Sequence, residues 1–111
     1  MRIEFSSDKL RKTCNRQDLL IRRYGMERAK RIRRRLDELD AATSLEDFRY
    51  LPGRCHELTG HLKGLLSLDL DGPYRLYFRP GQDPPPRKPD GGLDWSQITV
   101  VVIQRVYDPH E

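Results

Sequence analysis

The sequence predicts an α+β domain in which two helices of the N-terminal half pack on one face of a small, twisted, mainly antiparallel sheet. Two observations lead there. Apolar residues recur every three or four positions as far as Leu39 and every second position after Gly53, so a helical half precedes a half made of strands. The chain has 111 residues, enough for one domain with a core of its own and too few for two. Leu, Ile, Val and Phe supply 27 of them, about 24%, above the roughly 20% that marks disordered chains.

Each element has its own signal. Ile3 and Phe5 alternate with Arg2 and Glu4, the pattern of a short, half-buried first strand. Ser6-Ser7-Asp8 offers a helix N-cap. Leu10, Cys14, Leu19, Leu20, Ile21 and Tyr24 then follow a loose helical spacing, with a restart at Asn15 and a stop at Gly25. The second helix is clearer, because Ala29, Ile32, Leu36 and Leu39 form one stripe while Arg28, Lys30, Arg31, Arg33, Arg34 and Arg35 cover the other faces. The two helices are expected to be antiparallel. Thr43 to Gly53 reads as a connector with Leu45, Phe48 and Leu51 as core contacts.

Strands are expected at Arg54 to Leu58, at Leu66, Leu68 and Leu70, and at Tyr74, Leu76 and Phe78, the last two joined by Asp71-Gly72 as a two-residue hairpin turn. Pro80 to Ser96 holds five prolines and reads as a surface loop inserted in the sheet. The final strand, Ile98 to Val106, is apolar on both faces through Val100-Val101-Val102-Ile103 and should be central.

The net charge of +4 divides unevenly along the chain. Residues 1–35 carry 13 Lys/Arg against 4 Asp/Glu, net +9, and residues 36–111 carry 8 against 13, net −5. A basic block of that size points to a polyanion or an acidic protein partner; the alternative is a solvated helix surface. Cys14 and Cys55 fit neither a metal-ligand spacing nor a disulfide framework, which favours a reducing compartment. With no signal-peptide run and no stretch of 18 apolar residues, a cytoplasmic protein without membrane contact is expected.

Phosphate loops, HExxH metal sites, Cys/His metal sets and nucleophile elbows are all missing from the sequence. The remaining polar residues of the strand half include His56, Lys63, Arg75, Tyr77, Arg79, Asp108 and His110. They match the needs of RNA cleavage by the 2′-hydroxyl, which takes a base for that proton, an acid for the 5′-oxygen and cations for the phosphorane-like charge. Two histidines can supply the acid and base, and Arg75 and Arg79, two apart on one strand, would present planar forks from one sheet face.

The stretch Leu51-Pro52-Gly53-Arg54-Cys55-His56-Glu57-Leu58-Thr59-Gly60-His61-Leu62-Lys63-Gly64-Leu65-Leu66-Ser67-Leu68, with Tyr74-Arg75-Leu76-Tyr77-Phe78 and the ending Val106-Tyr107-Asp108-Pro109-His110, resembles HigB-type toxins of the RelE/ParE superfamily. Those toxins carry a His-x-Leu-x-Gly segment, a Gly-x-x-Ser strand, an aromatic-Arg-hydrophobic strand and a terminal Asp-Tyr-His. The Arg-rich helix from Ala29 to Leu39 is also similar to the family's second helix. The resemblance covers almost the whole chain. It implies one RelE/ParE-like toxin domain over 1–111, with the Pro/Gly-rich loop at about 80–96 as an insertion.

The activity implied is that of a type II toxin-antitoxin system: a ribosome-dependent mRNA endoribonuclease that works in the ribosomal A site, needs no metal or other cofactor and inhibits translation. Its implied partners are the ribosome, mRNA and a cognate HigA-like helix-turn-helix antitoxin, with operator DNA bound only through that antitoxin. His56, Arg75, Asp108 and His110 match the family's catalytic positions, the histidines for proton transfer or substrate orientation and Arg75 for phosphate stabilisation. Lys63, Tyr77 and Arg79 are the RNA-binding candidates beside them. Thr59, Asp71 and Pro109 stand where the family has a lysine, a basic residue and a tyrosine. The alternatives are a DNA gyrase poison, as in the ParE branch, which does not need the histidine pair, and a member that only binds its antitoxin.

Overall fold

The computed structural model describes residues Met1 to Glu111. Strand β1 (Arg2–Phe5) is followed by helices α1 (Asp8–Cys14), α2 (Gln17–Tyr24) and α3 (Met26–Ala41), then by strands β2 (His56–Glu57), β3 (Leu66–Asp69), β4 (Arg75–Pro80) and β5 (Val100–Tyr107). The strands form one sheet in the order β1-β5-β4-β3-β2. β2 to β5 pair antiparallel in sequence, and β1 lies parallel to β5 because the intervening chain carries it across the sheet. The fold is therefore α+β, as the sequence predicts. None of the helices is long and apolar enough to cross a membrane.

The helical half contains three helices where two are expected. Ser7 caps α1 by accepting from the Leu10 N–H at 3.1 Å. At the other end Arg16 is extended, and Arg33 of α3 donates at 2.8 Å to the Cys14 carbonyl freed by the break. Gly25, at φ +84°, then ends α2 and starts α3 in a single residue. The C-terminus of α3 has no basic residue in its last turn; the Met1 amino group donates to the carbonyls of Leu39, Asp40 and Ala42 instead.

The core forms where the α3 stripe Ala29, Ile32, Leu36 and Leu39, with Leu20 and Cys14, meets the sheet. Two cross-strand rows face those helices, Leu66 opposite Phe78 opposite Ile103, and Leu68 opposite Leu76 opposite Val106. A bulge makes this possible. Tyr77 pairs with Arg105 and Phe78 with Ile103, so Gln104 is the extra residue and the inward phase of β5 steps from Val101 and Ile103 to Val106.

Four further expectations are corrected. The first edge strand shrinks from Arg54–Leu58 to His56–Glu57, because Gly53 and Arg54 both take positive φ. The hairpin loop has three residues, Asp71-Gly72-Pro73, closed by the Tyr74 N–H on the Asp71 carbonyl at 3.0 Å. A two-residue Asp71-Gly72 turn would need an N–H at Pro73, which proline lacks. The 80–96 loop is not wholly a surface feature: Leu93 and Trp95 are buried in the core, and the Trp95 indole donates to Glu57 at 3.1 Å. The last strand starts at Val100 rather than Ile98, since Ile98 ends the short 3-10 turn Trp95–Gln97.

Arg35 is the buried charge of the fold, 4% exposed. Its Nε donates to the Asp69 carbonyl at 2.9 Å and its guanidinium pairs with Glu38 at 2.8 Å. Gly53 is required beside it, since a Cβ there would stand 2.9 Å from Arg35 Nε. Removing one partner of a buried pair strands the other. Arg35→Ala should therefore cost on the order of 3 kcal/mol in urea unfolding, whereas the exposed neighbour Arg34→Ala should stay within about 0.5 kcal/mol.

Candidate nucleic-acid interface

The sheet face turned away from the helices is built by the rows between those of the core. His56 lies opposite Ser67, Ser67 opposite Tyr77 and Tyr77 opposite Arg105; in the next row Asp69 lies opposite Arg75 and Arg75 opposite Tyr107. Direct cross-strand partners share a face, so these side chains form one patch. Arg79, opposite Val102, and the Arg2–Glu4 pair of β1 extend it. Five arginines, counting Arg54, which reaches Asp69, thus meet two carboxylates there, and four of the five come from the net-negative segment 36–111.

Tyr77 and Tyr107 stack at 5.1 Å between ring centroids, 16° from parallel, with the Arg105 guanidinium within 5.8 Å of both rings. Tyr77 is only 6% exposed. Its ring therefore backs Tyr107, and the half-buried Tyr107 is the ring able to receive a flat ligand. Tyr107, Arg105 and Arg54 were outside the set drawn from the sequence. The alternation Arg105, Val106, Tyr107 was readable, but only the bulge decides that this phase shares a face with Arg75 and Tyr77.

The other candidates are placed as follows. Arg75 binds Asp69 Oδ1 at 3.0 Å and donates to the carbonyls of Gly72 and Tyr74, both at 2.8 Å. His56 Nδ1 lies 2.9 Å from the Arg54 carbonyl, which only an N–H can satisfy, so Nδ1 is the donor and Nε2 is the ring nitrogen left facing away from that bond. Arg79 and Lys63 are exposed and have no carboxylate partner. Asp71 accepts both forks of Arg28 at 3.1 and 3.2 Å, and Arg28 lies 3.2 Å from the Tyr74 ring centre.

Asp108 and His110 do come together. The Asp108 carboxylate accepts from the His110 backbone N–H at 2.8 Å and meets ring Nδ1 at 2.9 Å, while the Tyr74 hydroxyl is 3.3 Å from the same nitrogen. The His110 backbone N–H, then its ring, hold the Asp108 carboxyl below the usual carboxylate range. The dyad leaves His110 Nε2 free for proton transfer. His56 and His110 are not brought together: β2 and β5 are three strand spacings apart, about 14 Å, with Arg75 on a strand between them. The thiols are ruled out as nucleophiles, because burial pushes Cys14 to about 11 and Cys55 to about 12.

A depressed carboxyl favours the docked tail above the ordinary aspartate range near 3.9 and ceases to do so as pH falls through its folded value. NMR of His110 should therefore show the ring held on Asp108 from neutral pH through about pH 4, released only below it; Asp108→Asn should shift the ring signals at pH 7. Set against known proteins, the chain matches no family model, no curated protein and no solved structure.

Proposed function

We propose that this chain is the toxin of a type II toxin-antitoxin pair, a HigB-like, ribosome-dependent mRNA endoribonuclease acting in the cytoplasm and neutralised by a helix-turn-helix antitoxin. The observation that carries the reading is the open sheet face, where Tyr107, backed by Tyr77, stands beside Arg75 and Arg105, with Arg54 across Asp69 from Arg75 and Arg79 further along β4. Single-stranded RNA is bound by such a combination, with aromatic rings taking unstacked bases and guanidinium forks taking phosphates. The ordered resemblance of residues 51–68, 74–78 and 106–110 to HigB-type toxins supports the same conclusion.

In this reading an RNA strand crossing the open face from β2 to β5 meets His56, then Arg54 and Arg75, then Tyr107; the Asp108–His110 dyad lies past the end of β5 beside Tyr74 and Arg28 of α3, on the helix side of the sheet end. One imidazole takes the proton of the 2′-hydroxyl as that oxygen attacks phosphorus. The 5′-oxygen leaves and takes a proton from an acid, giving a 2′,3′-cyclic phosphate and a 5′-hydroxyl. Arg75 offsets the charge gathered on phosphorus oxygens. Asp108 fixes the His110 ring and the Arg54 carbonyl fixes that of His56, so each histidine presents Nε2.

Expression without antitoxin should arrest growth and create new mRNA 5′ ends, and Arg75→Ala or His110→Ala should relieve the arrest; undiminished toxicity in both variants would remove the proposed site. DNA-damage signalling with intact mRNA would select the gyrase-poison alternative. Tyr107→Ala should weaken binding of a single-stranded oligoribonucleotide about tenfold, the usual loss for one stacking ring. Tyr77→Phe, which keeps the supporting ring, should leave affinity within about twofold.

A further inference from the structure

We infer that Arg54 is a phosphodiester-binding residue, forming with Arg75 a two-guanidinium fork around Asp69, and that its carbonyl positions His56 beside that fork. The inference rests on the RNA-binding reading of the open face and adds to it a residue and the chemical group that it takes. Arg54 is the one non-glycine residue of the chain at positive φ, +49°, a conformation in which bulky side chains are rare and which persists where the surroundings impose it. What that conformation does is visible on both sides of the residue. The side chain reaches Asp69, Nε to Oδ2 at 3.1 Å and the second nitrogen to Oδ1 at 3.4 Å. The carbonyl turns to His56 Nδ1 at 2.9 Å.

Asp69 thereby holds two arginines with one carboxylate, because Arg75 Nε is 3.0 Å from the same Oδ1. One unit of positive charge is left over at the fork. Burial is uneven: the Arg54 side chain is 68% exposed, whereas Arg75 and Asp69 are 24% and 29% exposed. Arg75 is spent on Asp69 and two carbonyls, so Arg54 is the arm of the fork open to an incoming anion. Its backbone anchor is rigid, since the Asp69 N–H donates to the Gly53 carbonyl at 2.7 Å and the Asp69 carbonyl accepts from buried Arg35. On the sheet, Asp69 is two residues beyond Ser67, the partner of His56, which puts fork and imidazole in adjacent rows of one face.

The test compares wild type with Arg54→Gly, Arg54→Lys and Asp69→Asn, using inorganic phosphate and a 2′-O-methylated single-stranded oligonucleotide that cannot be cut. Phosphate should shift the side-chain Nε resonances of Arg54 and Arg75 in the wild type. Arg54→Gly should bind the oligonucleotide about tenfold more weakly with a log-log salt slope smaller by about 0.7, the loss of one phosphate contact, at an unchanged or higher melting temperature because glycine accepts this φ. Arg54→Lys, which keeps the charge and loses the fork, should fall between the two, and Asp69→Asn should tighten phosphate binding by freeing both guanidinium groups. Arg54→Gly and Arg54→Lys binding both probes as the wild type does would overturn the assignment. So would oligonucleotide binding that leaves the Arg54 signal unmoved, which would spare the RNA reading. Phosphate binding at Arg54 with no oligonucleotide binding would support the fork and overturn the RNA reading.

Discussion

A guanidinium without water must find full hydrogen-bonding partners inside the protein, and that requirement at Arg35 connects the two halves of this fold. Arg35 lies on the inner side of α3, where its charge meets Glu38 one turn on and its Nε reaches across to the Asp69 carbonyl at the end of β3. The chain between α3 and the sheet must then pass close to that side chain, and Gly53 is the residue small enough to do so. Arg33, Arg34 and Arg35 are adjacent in sequence and have three different fates. Arg33 closes the end of α1, Arg34 stays in water, and Arg35 ties the helix to the sheet. Successive helical residues point about 100° apart, so a run of like residues is spread over three surroundings.

From Asp69 the constraint passes to the open face. Its carbonyl and N–H are held by Arg35 and Gly53, which leaves its carboxylate in a set place beneath Arg54 and Arg75. The helix-side core thus orders cations on the opposite side of the sheet without touching them. Tyr77 and Tyr107 are ordered by the same strand registry, one ring supporting the other. A rigid scaffold carrying polar groups at fixed spacing is what phosphate and base recognition requires, because flexible groups lose much of their binding energy to ordering.

Charge is distributed differently from what the chain halves suggest. Of the 13 cations in residues 1–35, seven are engaged in ion pairs, among them Arg16 with Asp18, Arg28 with Asp71 and Arg33 with Asp37. Several of these hold the fold, while exposed pairs contribute little to stability. The half with net −5 nevertheless presents a cationic face, since most of its carboxylates lie off the open strands, at positions such as Glu46, Asp47, Asp90 and Asp94. Net charge by segment therefore locates a polyanion surface poorly in a domain this small.

Periodicity by itself determined the α+β class, the amphipathic face of α3 and the strands around Leu68 and Leu76. These are local properties: a residue's phase along a helix or strand depends on its close neighbours in sequence. The break of the first helix depended on Arg33 meeting the Cys14 carbonyl, and the burial of Trp95 on where a proline-rich loop returns to the core. The wide separation of the two histidines followed from strand order, and the joining of Arg105 and Tyr107 to the face of Arg75 followed from the bulge at Gln104. Contacts between residues far apart in the chain depend on register and crossover, and one extra residue in one strand reverses which side chains share a face. That is why Arg54, the first residue of an expected strand when read along the chain, becomes part of a fork once β3 and β4 are paired.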